Sequence, residues 1–353
     1  MFQKILNNML DRYSAKRFKK MDEWFSIQLN SIQLTPPLFY KPSADAELLV
    51  RWESIFKANN MRCVNSAPFK NRSKYLSDFF ADSVIDSTVV DDEFNWGNID
   101  SLTASKGFGQ NHSGMINGSW FPDLNSWGAA MYPTHNETEY ISYGHHKLAA
   151  LSADDWENNL RHIQMEGFDD AFIRVVQYQW LCRNVCLNSG GSHHAAMLVH
   201  QIKNYGYSYT QRALVTKYSL DIAPIEKLIS GGYFIFITSS SAFDLSQSLI
   251  SEPFEFILNN RIANEIYCYP MNGCSSNGAT VYIMHRDAIQ IPIDIFESWY
   301  QGQVDVGRII PLLSMLKDTL AFCTHPYLHE LSQIHLGDPF RRSDKALRHF
   351  LKG

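Results

Sequence analysis

The apolar positions in the middle of the chain change between helical and strand spacing several times. A capping box at Ser152 and Asp155 predicts a helix that ends at Gly167. The apolar residues in 171–188 then predict one long strand or a hairpin, and after the SGG break a second helix ends at Gly206. This alternation is typical of an α/β protein.

The same alternation continues beyond this segment. QRALVTKYSLD predicts a strand, IAPIEKLIS a helix and YFIFIT another strand. Ser239, Ser240 and Ser241 come next, and we interpret them as the cap of a helix around 245–258, with an anion cradle as the alternative. The run YCYPMNGCSSNGATVYIMH predicts a hairpin.

The whole pattern predicts an α/β (α+β) fold in which a small mixed-sheet core carries large helical and loop-rich elaborations. The four predicted regions are a helical region over 1–60, a loop-rich aromatic region over 61–140, the α/β core over 141–290 and a helical region over 291–353. The pattern places no strand in the second region, but the scattered tryptophans there favour ordered loops over disorder. The pattern leaves open whether all four form one compact domain.

Composition narrows the class of protein. Hydrophobic residues make up 45% of the 353 residues and charged residues 19%, which is enough apolar material for a buried core. The 36 acidic residues outnumber the 31 basic ones, which gives a net charge of −5. General nucleic-acid binders carry a basic excess, so nucleic acid is not the favoured partner.

Cysteine usage and the termini indicate the compartment. Six cysteines are too sparse for a disulfide framework, and their spacing predicts no zinc site. The N-terminus MFQKILNNMLDRY lacks the unbroken apolar stretch of a secretory signal, and no apolar run approaches the length of a membrane span. We expect a reduced, soluble, cytoplasmic protein without a transmembrane segment.

The run NSGGSHHAA, between a predicted strand and a predicted helix, carries the clearest chemical signal. Gly190 and Gly191 permit a tight turn and a close approach of a ligand to the main chain. Ser192 is a candidate N-cap, and the open amides of a helix start favour an anion. His193 and His194 in the first turn would donate to a phosphate oxygen. The segment predicts phosphate or carboxylate recognition; the alternative is a plain capped helix with surface histidines.

The run GGSHHAAML, with a strand before it and a strand after its helix, resembles the phosphate-binding turn of the ParB/sulfiredoxin-like superfamily. Sulfiredoxins carry Gly-Gly-Cys-His-Arg at this place, and the likeness covers residues 172–238. The run also resembles an uncharacterised bacterial family with a Gly-Ser-His-His signature. Superfamily members include kinases, nucleotide hydrolases and DNA-binding partition proteins. The resemblance implies that Gly190, Gly191, Ser192 and His193 hold phosphate.

Two departures from the superfamily pattern change the expected chemistry. Ser192 replaces the sulfiredoxin cysteine, which argues against sulfinic-acid repair. His194 replaces the usual arginine, and an imidazole is charged only below about pH 6.5. Phosphate binding at neutral pH then calls for another cation. We select Arg183 over Arg174 and Lys203 because it lies only a few residues before the turn.

Acidic residues near the turn supply candidate acid–base groups. A carboxylate close to a phosphate accepts a proton or holds a divalent ion that bridges phosphate oxygens. Glu166 and Asp169, with Asp170 beside them, precede the long strand, and we take Glu166, Asp169 and His193 as the catalytic candidates. The expected cofactor is ATP or another nucleotide with Mg²⁺. The histidine spacings support no metal site on the protein itself.

The predicted function is binding of a nucleotide or other phosphorylated ligand at Gly190–His194. The sequence leaves open whether a phosphotransfer or hydrolysis reaction follows. Two alternatives from other classes also stay open. One is a non-catalytic DNA- or protein-binding module of the ParB-like type. The other is a bacterial effector or defence toxin that acts on nucleotide, NAD or nucleic acid.

Overall fold

The chain divides into two compact units. The computed structural model describes residues 17, 19–37, 52–57, 61–65, 72–102, 123–130, 142–143, 146–147, 150–168, 171–188, 190–244, 251–271 and 279–319. Unit 1 comprises the described residues before 38 and those in 52–83 and 222–317. Unit 2 comprises the described residues in 84–221 and 318–319. The boundary after Asp221 therefore falls inside the segment 141–290 that the sequence pattern treats as one core.

Strands and helices follow one another along the described chain. The strands are β1 Ile32–Leu34, β2 Arg62–Asn65, β3 Val84–Asn95, β4 Ser101–Leu102, β5 Ser142–Tyr143, β6 His146–Lys147, β7 Ile173–Tyr178, β8 Arg183–Leu187, β9 Thr210–Leu220, β10 Tyr233–Ser239, β11 Ser241–Asp244, β12 Ser251–Pro253, β13 Ile266–Pro270, β14 Ala279–His285 and β15 Ile310–Pro311. The helices are α1 over residues 19–30, α2 Trp52–Phe56, α3 Ser73–Asp82, α4 Leu124–Ala130, α5 Ala153–Met165, α6 Ser192–Tyr205, α7 Ala223–Ser230, α8 Phe254–Arg261, α9 Ile293–Asp305 and α10 Leu312–Lys317. None of these helices has the length and apolar content needed to cross a membrane.

Unit 2 is built on a five-stranded mixed sheet with the order β3-β9-β7-β8-β4. β7 and β8 form an antiparallel hairpin, one of the two arrangements that the sequence predicts. The chain then crosses over through α6, so that β9 runs parallel to β7 and antiparallel to β3. The mixed sheet and its crossover helix confirm the predicted α/β class.

α6 is the central helix of unit 2. Every residue from Ser192 to Gln201 is buried, and α4 and α5 both contact this helix. Its buried side chains share one core with alternate residues of the sheet, including Ile173 and Val175 of β7. The predicted end of the helix at Gly206 is confirmed, since that glycine caps α6 in the left-handed conformation with φ of 74°.

The prediction of a loop-rich region over 61–140 is wrong for residues 73–95. Residues 73–82 form α3, and the twelve residues 84–95 form β3, the longest strand described. β3 escaped detection because it lies at the sheet edge, where residues 85–93 are all exposed. A strand exposed on both faces shows no apolar–polar alternation. Residues 103–122 and 131–141 lie outside the described residues.

Unit 1 contains two antiparallel sheets. The larger has the order β15-β10-β14-β13-β2, and the smaller the order β1-β11-β12. The predicted hairpin is confirmed as β13 and β14. Helices α8 and α9 bury Phe254, Ile257 and Phe296 in a core shared with the sheets.

Two helix predictions in unit 1 need correction. The three serines at 239–241 do not cap a helix, because they join β10 to β11. The helix expected around 245–258 begins only at Phe254, after the strand β12. The predicted C-terminal helical region is helical as far as it is described, apart from the short strand β15, and residues after 319 lie outside the described part.

Candidate functional site

Two glycines bring the end of α5 against the start of α6. Gly167 and Gly191 adopt the left-handed conformation, with φ of 84° and 68°. A Cβ on Gly167 would lie 2.4 Å from the carbonyl oxygen of Gly190, and one on Gly191 would lie 2.5 Å from the carbonyl oxygen of Glu166. Only glycine permits this crossing of two main-chain segments, because any side chain would collide with backbone.

The start of α6 is covered rather than open. Gly190 and Gly191 are buried, and the exposed fractions of Ser192, His193 and His194 are 3%, 5% and 4%. The burial contradicts both the predicted open helix start and the surface histidines of the alternative interpretation. The glycine crossing places the end of α5 and the ring of Phe168 directly over the turn, which explains the burial.

The cap of α6 also differs from the prediction. Gly191 is the N-cap, and Ser192 is the first helical residue, so the serine does not cap the helix. Asn188 holds the turn instead: its amide nitrogen donates to the carbonyl of Gly190 over 2.8 Å and to the hydroxyl of Ser192 over 3.0 Å. The serine hydroxyl therefore has a structural partner inside the turn.

Glu166 lies beside the helix start and pairs with His162. The Nε2 atom of His162 is 2.9 Å from a carboxylate oxygen of Glu166, one helical turn further along. A Cβ on Gly190 would lie 2.8 Å from the other carboxylate oxygen, so the carboxylate lies against the turn. The N-terminus of α6 stabilises a negative charge here, whereas the C-terminus of α5, which Glu166 caps, opposes it. The Glu166 side chain is 44% exposed, whereas that of His162 is 11% exposed.

His162 was missed by the sequence reasoning. The signal was present, because a histidine four residues before a glutamate on a predicted helix meets it on one face. The sequence-based prediction grouped Glu166 with Asp169 and His193 as catalytic candidates. The structure instead pairs Glu166 with an imidazole of its own helix.

A buried polar network extends inward from this pair. The rings of His162 and His194 stack with their centroids 3.8 Å apart. His194 Nδ1 is 2.8 Å from the side-chain oxygen of Asn159. Asn159 in turn donates to Gln201 over 3.1 Å, and Gln201 donates to the carbonyl of Ser152 over 3.3 Å. The network fixes both imidazoles and links the first and last turns of α5 to α6.

The predicted auxiliary cations lie elsewhere. Arg183 begins β8, and the diglycine turn follows the other end of that strand, about 16 Å away at 3.3 Å per residue. Arg183 acts on Asp100, as does Lys203, whose ammonium is 3.9 Å from that carboxylate. Burial raises the pKa of Asp100, while a hydrogen bond from the amide of Asn184 and these two cations oppose the shift. The choice of Arg183 as a cation beside the turn is therefore wrong.

Arg174 also has no role at the turn. Arg174 is exposed, whereas Ile173 and Val175 on either side of it are buried in the core that contains α6. Since alternate residues of a strand point to opposite faces, Arg174 lies on the face away from α6. Asp169 and Asp170 lie outside the described residues. Within the described part of the chain, no group of three or more His, Cys, Asp or Glu side chains is arranged for a metal ion.

The arrangement provides one set of groups suited to proton transfer. A carboxylate and an imidazole in hydrogen-bond contact form an acid–base pair, and its carboxylate is partly open to solvent. The start of α6 adds the positive end of a helix dipole. The site is therefore equipped for proton transfer next to negative charge.

Comparison with known proteins gives one family match. A model of a family of unknown function (DUF6685) matches residues 134–254, about a third of the chain. The matched segment includes the diglycine turn, the Glu166–His162 pair and the buried network. No curated protein and no solved structure matches the chain.

Proposed function

We propose that unit 2 binds a nucleotide or other phosphorylated ligand beside the start of α6, and that Glu166 and His162 transfer protons to and from it. The observation that carries this proposal is the contact of the Glu166–His162 pair with the Gly190–Gly191 turn. The resemblance of Gly190–His194 to the ParB/sulfiredoxin-like phosphate-binding turn supports the same ligand class.

The burial of the turn determines how a ligand would approach. Because Gly190 to His194 are buried, the phosphate would contact the partly exposed Glu166 carboxylate and the edge of His162 rather than the amides behind them. The dipole of α6 favours negative charge at that edge, and the C-terminal end of α5 opposes it. Glu166 already supplies one negative charge, so the phosphate competes with it unless His162 is protonated or a cation intervenes.

The expected chemistry is hydrolysis or transfer of a phosphoryl group. The attacking water or hydroxyl gives its proton to the Glu166–His162 pair as its oxygen bonds to phosphorus. The bond from phosphorus to the leaving oxygen breaks, and the leaving oxygen takes a proton from the pair. Such reactions depend on positioning and charge neutralisation. A Mg²⁺ ion carried by a nucleotide would have Glu166 as its carboxylate ligand among the described residues.

The binding step is tested by thermal shift with inorganic phosphate, ATP, GTP and NAD, each with and without Mg²⁺. A ligand at a hundred times its Kd stabilises the folded state by about 2.7 kcal/mol, which raises the Tm by several degrees. No shift with any of these probes would refute the proposal.

The catalytic step is tested with Glu166→Gln, which keeps the size of the side chain and removes its charge. We expect phosphate to bind at least as tightly, because a competing negative charge is gone, and turnover of the bound nucleotide to fall at least a hundredfold. The matched control is Glu157→Gln, an exposed position on the same helix, which should change neither property. Wild-type turnover by Glu166→Gln would remove the proton-transfer role.

A further inference from the structure

The outer edge of β3, on the side away from β9, is a surface separate from the proposed phosphate site. β3 is the edge strand of the unit 2 sheet and pairs only with β9 among the described strands. Its nine central residues, 85–93, are all exposed. An edge strand presents a row of main-chain donors and acceptors to solvent, which is a template for a further strand.

Two of the usual protections of such an edge are absent from β3, and most of its charges and its register shift lie in 91–94. Neither proline nor lysine occurs in Val84–Asn95, and the strand is twice the usual length. One register shift, between Asp91 and Phe94, interrupts the pairing with β9 near its end. The stretch from Val84 to Asp91 is in continuous register. A partner strand would therefore meet eight regularly spaced residues.

Apolar side chains are exposed along the same stretch. Ile85, Val89 and Val90 have exposed fractions of 51%, 43% and 49%. Val89 and Val90 point to opposite faces of the sheet because they are adjacent in a strand. A strand added at this edge would cover apolar surface on both faces, which supplements the main-chain hydrogen bonds with side-chain contacts.

The charge of β3 determines what kind of strand fits. The strand carries Asp86, Asp91, Asp92 and Glu93 and no basic residue. On β9, Arg212 pairs with Asp92 over 2.6 Å, and Lys217 lies opposite Ser87. The two-stranded ribbon therefore keeps an acidic excess. This excess favours a partner strand with lysine or arginine.

A second copy of the chain is a poorer partner than a basic strand, because its β3 would add four acidic residues and no basic one. Antiparallel pairing of two β3 strands about Val89 would place Asp86 opposite Asp92 twice, and a register about Thr88, which avoids such pairs, would still bring no positive charge. Parallel pairing in register would place every acidic residue opposite itself. Like charges directly opposite one another destabilise a sheet.

We propose that the edge of β3 binds an extended, basic segment of a partner protein by β-strand addition. Main-chain hydrogen bonds to residues 84–91 provide the affinity, the apolar positions accept alternate side chains, and the acidic residues select for positive charge. This interaction surface is independent of the proposed phosphate site, since it uses none of that site's residues.

The probes are three labelled ten-residue peptides with blocked ends. One alternates lysine with valine and threonine, the second has glutamate in place of lysine, and the third is the basic peptide with alternate amides N-methylated. We expect the basic peptide to bind in fluorescence anisotropy at least tenfold more tightly than either of the others. We also expect it to slow amide hydrogen exchange in residues 84–91. Equal binding of the N-methylated peptide, or protection outside β3, would overturn the proposal.

A pair of charge variants separates a local effect from a general one. The double substitution D91K/E93K should weaken binding of the basic peptide at least tenfold. The control D154K/E157K makes the same change in net charge at two exposed positions of α5 and should leave the affinity unchanged. Equal losses in both variants would show that only net charge matters and would reject the edge. Circular dichroism checks that both variants fold. If D91K/E93K does not fold, hydrogen exchange in the wild-type protein with the basic peptide tests whether the peptide binds at β3.

Discussion

The imidazole rings of His162 and His194 stack with their centroids 3.8 Å apart and their planes inclined by 30°. The two histidines come from different helices, α5 and α6, and each has its own polar partner. Glu166 contacts His162 near the surface, and Asn159 contacts His194 in the interior. The stack thus joins a partly exposed acid–base pair to a fully buried polar network.

Asn159 is the residue whose loss should damage this network most. It is fully buried and bonds to His194 on one side and Gln201 on the other. We expect Asn159→Ala to lower the free energy of unfolding by about 1–3 kcal/mol, because two buried polar groups lose their partner. The urea midpoint measures the loss at constant m-value. Glu157→Ala, exposed on the same helix, should change stability by less than about 0.5 kcal/mol. Equal midpoints for the two variants would contradict the structural role of the network.

The close approach of two main-chain segments at the diglycine turn predicts a large loss of stability for Gly191→Ala. Gly191→Ala would place a Cβ 2.5 Å from the carbonyl oxygen of Glu166, in addition to the strain of φ at 68°. Gly206→Ala provides the control, since its φ of 74° is similar but no atom lies within 4 Å of the added Cβ. We expect about 1–2 kcal/mol of destabilisation for the control, from backbone strain alone, and clearly more for Gly191→Ala. Similar urea midpoints for both would show that the crossing relaxes without cost.

Gly302 is a position where substitution by alanine should stabilise the protein. It lies inside α9, its conformation is helical, and no atom lies within 4 Å of an added Cβ. Gly302→Ala should therefore raise the free energy of unfolding by about 0.5–1 kcal/mol, because alanine restricts the unfolded chain and favours the helix. A thermal melt that shows a higher Tm than wild type would confirm the prediction, and a lower Tm would contradict it.

His200 should make the stability of unit 2 depend on pH. Burial lowers the pKa of His200 from its usual value, and the hydrogen bond with Asn125 opposes the shift only in part. The unfolded chain therefore binds this proton at a higher pH than the folded one, so stability falls as the pH decreases through about 6.5 towards the folded pKa. His200→Gln should flatten the dependence in that window. A ring titration by NMR with a midpoint at or above about 6.5 would rule out this account.

Much of the fold of unit 2 was predictable because it depends on local signals. The capping box at Ser152 and Asp155, where serine accepts from the aspartate amide and aspartate accepts from the serine amide, is present as the sequence indicates. The glycine stops at Gly167 and Gly206 are also found. These features are decided by residues a few positions apart, so tertiary contacts did not need to be known.

The sequence pattern did not reveal β3, because β3 is an edge strand. A strand reveals itself through the difference between a buried and an exposed face, and residues 85–93 are exposed on both. Its place in the sheet comes from pairing with β9, more than a hundred residues further along the chain. Pairing between residues so far apart in the chain cannot be predicted from the local composition.

The sequence by itself determined that a diglycine turn joins a strand to a helix and that Glu166 ends the helix before that strand. Only the tertiary structure decided that the turn is buried under the end of α5, that Glu166 pairs with His162, and that Arg183 lies near Asp100 instead. The physical reason is that hydrogen bonding, capping and periodicity act between near neighbours. The exposure of a helix start depends instead on what a distant segment places over it.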